Sequence, residues 1–168
     1  MNQIPNSIHV YKKSTQNELW QYIGLGLVGV FAILQLFQID KTNPESDPSK
    51  DMLVVTNAPQ NVATILKDAC YDCHSNNTVY PWYTSLQPFA WSIQNHIKHG
   101  RKHINFSEFG DYSREDRAEV FEECVEVLEE GEMPLASYKL MHPEAILSDE
   151  QTKTLMQWFS GNGEEFED

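Results

Sequence analysis

The sequence predicts an all-α fold, a helical domain preceded by a single transmembrane helix, and three observations carry that prediction. The run WQYIGLGLVGVFAILQLFQI, Trp20 to Ile39, holds 20 residues without a formal charge. Downstream, apolar residues recur three and four apart, and two helix starts carry capping boxes, Ser113 with Asp116 and Ser148 with Gln151. No stretch shows the period-two alternation of a half-buried strand.

Residues 1–19 read as a polar cytoplasmic tail, and residues 20–39 as the anchor. At about 1.5 Å of rise per residue the run just spans a bilayer core. Gln21, Gln35 and Gln38 lie near its ends, and Trp20 and Tyr22 suit an interfacial belt. Lys12 and Lys13 precede it, whereas the following Asp40, Lys41, Glu45 and Asp47 are mixed in sign. The positive-inside rule then puts the N-terminus in the cytoplasm and the rest of the chain outside, the periplasmic side of a bacterial inner membrane. The next residues, QIDKTNPESD, lack an A-x-A-like cleavage site, and no Cys closely follows the run. The segment therefore reads as a retained anchor rather than a cleaved signal.

Residues 40–56, with two prolines and several charges, suit a linker that lets a tethered domain swing. Residues 57–161 carry the helical domain. Its first helix starts near Asn57, with Pro59 in the first turn and Val62, Ile65, Leu66, Ala69 and Cys73 on one face. A middle helix is expected from Gln87 to His99, stopped by Gly100. A third runs from Arg114 to Glu130, buries Val120, Phe121, Cys124, Val127 and Leu128, and ends at Gly131. The last opens at Ser148, buries Leu155, Trp158 and Phe159, and ends at Gly161 and Gly163. Residues 162–168 read as a frayed acidic tail.

The chemistry lies in Cys70-Tyr71-Asp72-Cys73-His74, a C-x-x-C-H sequence. This is the c-type haem attachment spacing. Two thiols can add to the vinyl groups on one porphyrin edge, and the next residue, His74, supplies the proximal nitrogen to iron. The cofactor expected is one covalent haem c held by Cys70 and Cys73. A zinc site would need about four Cys or His ligands, and the only other cysteine is Cys124. A redox dithiol would need a βαβ context, which is absent from the pattern. Cys124 reads as a core thiol. Haem attachment to this sequence takes place outside the bacterial cytoplasm, the side on which the anchor puts it.

Charge narrows the partners. The net charge is −13, which argues against nucleic acid. It is uneven: from Asn105 onward there are 18 acidic and 4 basic residues, against 7 and 8 before it. Much of that acid is the solvated face of two helices, and a negative field would also steer a partner with a basic face. Trp82, Tyr83, Phe89 and Trp91 could wall a haem edge, and Arg101 could pair with haem propionates.

The motif helix, then Gly131-Glu132-Met133-Pro134, then a terminal helix opening Leu147-Ser148-Asp149-Glu150-Gln151 is similar to a class I cytochrome c. More closely, CHSNNTVYPWY, HGRKHINFSEF, GEMP and HPEAILS resemble the haem-binding domain found widely in Bacteroidota, over roughly Asn57 to Phe159. That resemblance implies a cytochrome c-like helical domain with haem but no specific reaction. In the class I family the Met of the Met-Pro loop is the sixth ligand, which implies that role for Met133. A thioether suits low-spin iron and raises the potential. His96 and His99, three apart on one face of the middle helix, are rival distal ligands, with Met141, His142 and His103 behind them. The long histidine-bearing insert between Ser75 and Asp111 departs from a minimal class I cytochrome.

A fixed Met ligand makes the chain a carrier of single electrons in or between respiratory complexes, not an enzyme. Its partners are then a membrane redox complex or other cytochromes, with the bilayer holding residues 20–39. An open distal position makes it a haem peroxidase or a gas-reactive or sensory cytochrome. A structural haem subunit of a larger membrane complex is the third reading.

Overall fold

The computed structural model describes residues 7–167. Residues 1–6 and 168 lie outside the described residues, as do the side chains of Lys12 and Lys13, on which the expected orientation of the anchor rests. Among the described residues every element is helical and no strand occurs. The chain divides into two compact units, residues up to 40 with 81–92, and residues 41–80 with 93 onward.

The first unit is built on α1 (Ser7–Leu34). Its stretch Gln16–Leu34 is long and apolar enough to cross a membrane, and none of it is buried. The helix begins within the expected tail and stops before Ile39, because the chain tightens after Leu34: the Leu36 N–H bonds to the Ile33 carbonyl and the Phe37 N–H to that of Leu34. The glutamines expected to face the interface bind protein instead. Gln35 donates to the Gln87 carbonyl (3.2 Å) and accepts the Gln87 N–H (3.0 Å), and Gln38 donates to the Ser85 carbonyl (3.3 Å).

The second unit holds the hydrophobic core. It contains α2 (Met52–Val55), α3 (Gln60–Ala69), α4 (Tyr71–His74), most of α5 (Phe89–His103), α6 (Arg114–Glu129), α7 (Ala136–Lys139) and α8 (Asp149–Glu167). Helices α6 and α8 pack along each other around Phe121, which is fully buried. Its ring stacks on Phe109 (5.1 Å between centroids) and meets Trp158, Phe159 and Phe166 at 5.7, 5.4 and 5.8 Å. Both expected capping boxes form. Gly131 ends α6 with φ of 71°, and the Gly131 and Glu132 N–H groups bond back to the Leu128 and Val127 carbonyls. That pair of bonds is a Schellman cap.

Three segments differ from expectation. The linker is folded: a 3-10 turn at Pro48–Lys50 and α2 insert a fully buried Met52 into the core. Asn43 is also held, its side chain donating to the Thr78 carbonyl (2.9 Å). Gly100 does not stop α5, which runs to His103. Nor does α8 end at Gly161. It continues to Glu167 because Phe166 packs on Phe121, Arg117 lies over the Phe166 ring, and Arg114 donates to the Phe166 carbonyl (2.6 Å).

Since four rings converge on Phe121, Phe121→Ala should cost about 3–5 kcal/mol. The drop in a chemical-denaturation midpoint measures it.

Candidate haem-binding site

Helix α3 delivers the attachment sequence to a break. At Cys70 the backbone leaves the helical region (φ −127°, ψ −39°), then re-enters it for the single turn α4. The Cys73 and His74 N–H groups both bond to the Cys70 carbonyl (3.2 and 2.9 Å). This turn sets Cys70, Cys73 and His74 on the wall of one cavity of about 400 Å³.

The two intervening residues fix the turn from behind. Tyr71 is buried, its ring 5.2 Å from that of Phe106. Its hydroxyl donates to Asp51 (2.8 Å). Burial and the neighbouring Asp51 carboxylate push its phenol pKa well up, so it stays a donor. Asp72 accepts the Val79 N–H on one oxygen (2.9 Å) and the Tyr138 hydroxyl on the other (2.8 Å).

The loop after His74 is held by a buried polar network. Ser75 Oγ donates to the Tyr71 carbonyl, the Asn76 N–H donates to Ser107 Oγ, and Asn105 Nδ2 donates to Asn76 Oδ1. Ser75, Asn76, Asn105 and Ser107 are all buried. Burying such groups unpaired would cost about 1–3 kcal/mol each, so the loops 75–78 and 105–107 specify each other.

His74 is prepared as a ligand. Its Nδ1 lies 3.3 Å from the Ile104 carbonyl. A carbonyl can only accept, so Nδ1 carries the hydrogen and Nε2 keeps its lone pair, the arrangement metal-binding imidazoles usually show. Burial lowers the His74 pKa, against the pull of the Ile104 and Gly100 carbonyls, and favours the neutral ring. Burial likewise pushes the Cys70 thiol to about 12 and the Cys73 thiol to about 11. The thiols, the neutral imidazole and a largely apolar cavity fit a haem.

Helix α5 closes on the turn at Gly100. A Cβ there would lie 2.7 Å from the Cys73 carbonyl oxygen, so the absent side chain is what admits the contact. His96, His99 and His103, on one face of this helix, all reach the cavity wall.

Met133 is on the wall too, brought by the loop after α6. Its N–H bonds to the Val127 carbonyl (3.3 Å) just past the Schellman cap, and its peptide with Pro134 is cis. Cys124 also faces the cavity while packing against the core, and burial raises its thiol pKa.

Other candidates are elsewhere. Trp82, Tyr83 and Trp91 belong to the first unit and do not line the cavity. Arg101 is spent on protein: it donates to the Ser75 carbonyl (2.8 Å), Asn43 Oδ1 (3.1 Å) and Thr78 Oγ1 (2.9 Å). Its pattern is that of a loop clamp rather than a propionate partner. Met141 and His142 are not on the wall, and His142 stacks on Tyr138 and pairs with Glu144 (2.8 Å). Nothing in the sequence singles out Tyr138 or Ile104; no local pattern marks a tyrosine 66 residues from its carboxylate.

The haem-binding domain family matches residues 29–161. The chain belongs to this family of haem proteins. No curated protein and no solved structure matches the chain.

Gly100→Ala should force α5 and the attachment turn apart, at about 1–3 kcal/mol for an overpacked contact. The haem bound per chain should fall along with the unfolding midpoint; full attachment at an unchanged midpoint would contradict the close approach. Tyr138→Phe should lose a bond to a carboxylate, about 1–2 kcal/mol where it is partly exposed. A double-mutant cycle with Asp72→Ala checks that the loss belongs to this pair.

Proposed function

We propose that this chain is a membrane-anchored monohaem c-type cytochrome that passes single electrons on the periplasmic side, in or between respiratory complexes. The observation that carries the reading is a single cavity lined by two thiols, a pre-set imidazole and a methionine from a separate loop. Haem supplies one-electron chemistry at its iron when bound. Cys70 and Cys73 would hold it by thioethers, and His74 Nε2 would be the proximal ligand.

Met133 is the distal ligand in this reading. Helix α5 touches the attachment turn through Gly100, and His96 and His99 on it are the alternative distal ligands. Met133 comes from a different element and has its backbone tied to the end of α6. The soft thioether holds the reduced iron well and raises the potential. Leu128, Leu155 and Phe159 line the cavity, where they exclude water and lower the local dielectric. Were His74 and Met133 both to hold the iron, a substrate would have no place on it, which supports a carrier rather than a peroxidase or gas sensor.

The anchor reading rests on the apolar, unburied Gln16–Leu34 helix, which carries no formal charge after Glu18. Its orientation rests on Lys12 and Lys13 and on the extracytoplasmic chemistry of haem attachment.

In the oxidised full-length protein, Met133→Ala should abolish the weak red charge-transfer band of iron–thioether bonding. It should also lower the potential by on the order of 0.1 V, within the roughly 0.8 V that axial ligands span. An unchanged spectrum would remove Met133 from the site. High-spin iron and rapid carbon monoxide binding in the unaltered protein would replace the carrier with the gas-reactive reading.

A further inference from the structure

Segment 81–92, PWYTSLQPFAWS, carries no charged residue, in a chain of which 22% is charged. It leaves the haem-bearing unit and joins α1 in the first unit. The join is specific: besides the Gln35 and Gln38 bonds described above, the Trp91 indole N–H donates to the Phe37 carbonyl (3.1 Å). All three contacts fall on residues 35–38, directly after the helix long enough to cross a membrane.

Having made those bonds, the segment turns its large apolar rings outward. Trp82 is 72% exposed, Phe89 66% and Trp91 40%, next to Leu36 at 79% and Phe37 at 60%. A cluster of exposed aromatics is not explained by solvation, and such a patch marks an interaction surface. The backbone is also prepared for a poorly hydrating medium. The N–H groups of Thr84, Leu86, Ala90 and Trp91 are bonded within the segment, and that of Gln87 is bonded to the Gln35 side chain. Pro81 and Pro88 have no N–H to leave bare.

We infer that residues 81–92 form a membrane-interface segment, with Trp82, Phe89 and Trp91 seated in the lipid headgroup region beside the outer end of the anchor. The inference rests on the reading of α1 as a membrane span. A bilayer is the occupant favoured because the segment is hydrogen-bonded to the residues at which that span ends. Trp is the side chain that combines an apolar body with a polar edge, and it gathers at this depth. By chain connectivity the haem-bearing unit would then meet the membrane unit at three crossings, after residues 40, 80 and 92, instead of one.

The test uses the haem-loaded full chain in phosphatidylethanolamine and phosphatidylglycerol vesicles, with Cys124→Ser to leave no other free thiol. Nitroxides are placed singly at Trp82→Cys and Phe89→Cys, with Val28→Cys in α1 and Val54→Cys in the other unit as references. Collision rates with oxygen and with a water-soluble nickel chelate are read for each. The expected result is an oxygen-to-nickel ratio at 82 and 89 several-fold above that at 54 and approaching that at 28. Ratios at 82 and 89 equal to that at 54, with 28 lipid-like, would overturn the interface segment and leave the anchor standing. A water-like ratio at 28 would overturn the anchor, and the segment with it. Shielding of 82 and 89 from both reagents would mean that protein covers them, and would also overturn the proposal.

Discussion

Five consecutive residues must offer two thiols and an imidazole to one cavity, and a single helical turn is the shortest backbone that does so. The turn α4 is too short to hold itself. A lone turn fixes several dihedral angles for one or two hydrogen bonds, which is the unfavourable nucleation step of helix formation. Its stability therefore comes from the groups around it. Tyr71 drives inward to Asp51, Asp72 takes bonds from Val79 and Tyr138, and the Ser75–Asn76 backbone is tied to Asn105 and Ser107. All of these but the exposed Val79–Asp72 bond are polar contacts in partly or wholly buried places. Loss of one partner leaves the other desolvated, so the network stands or falls together.

The same network reaches the loop that carries Met133. Tyr138 follows Met133 by five residues, and its hydroxyl ends on the Asp72 carboxylate inside the attachment sequence. At its other end the Met133 loop is fixed by the cap of α6. The loop is thus pinned at both ends, once to the core helix and once to the haem turn. Such pre-organisation would help the thioether proposed at Met133 compete with water as a ligand.

The features legible in the sequence were local ones. The capping boxes, the Gly131 cap and the Cys-Cys-His spacing each lie within five or six residues, and each formed. Gly100 shows the limit. A glycine at a helix end reads as a stop, and only the packing reveals that its missing Cβ admits the Cys73 carbonyl. Residues 40–56 read as a linker because Pro and charge outnumber apolar residues, yet the buried Met52 and the caps of Asp47 and Asp51 help fold residues 48–55 into two short helices. Trp82, Tyr83 and Trp91 raised the expectation of a haem wall by composition alone. Aromatic content gives no direction, and the bonds from Gln35 and Gln38 that set it span about fifty residues.

Distance decides how much of the acidic charge matters to the site. Helix α6 turns Val120, Cys124, Val127 and Leu128 toward the core and cavity, and leaves Glu115, Glu119, Glu122, Glu126, Glu129 and Glu130 exposed. At physiological ionic strength charges separated by more than about 8 Å are largely screened. Exposed carboxylates farther than that from the cavity act weakly on anything in it. Glu123 and Glu132 differ, since both stand on the cavity wall itself. Placed there, although both side chains are exposed, two negative charges would favour the more positive state of a redox group in the cavity and lower its potential. The thioether ligand proposed at Met133 would raise it. The working potential would then depend on the balance between that ligand and these carboxylates, of which Glu132 is its immediate neighbour in sequence and Glu123 comes from α6.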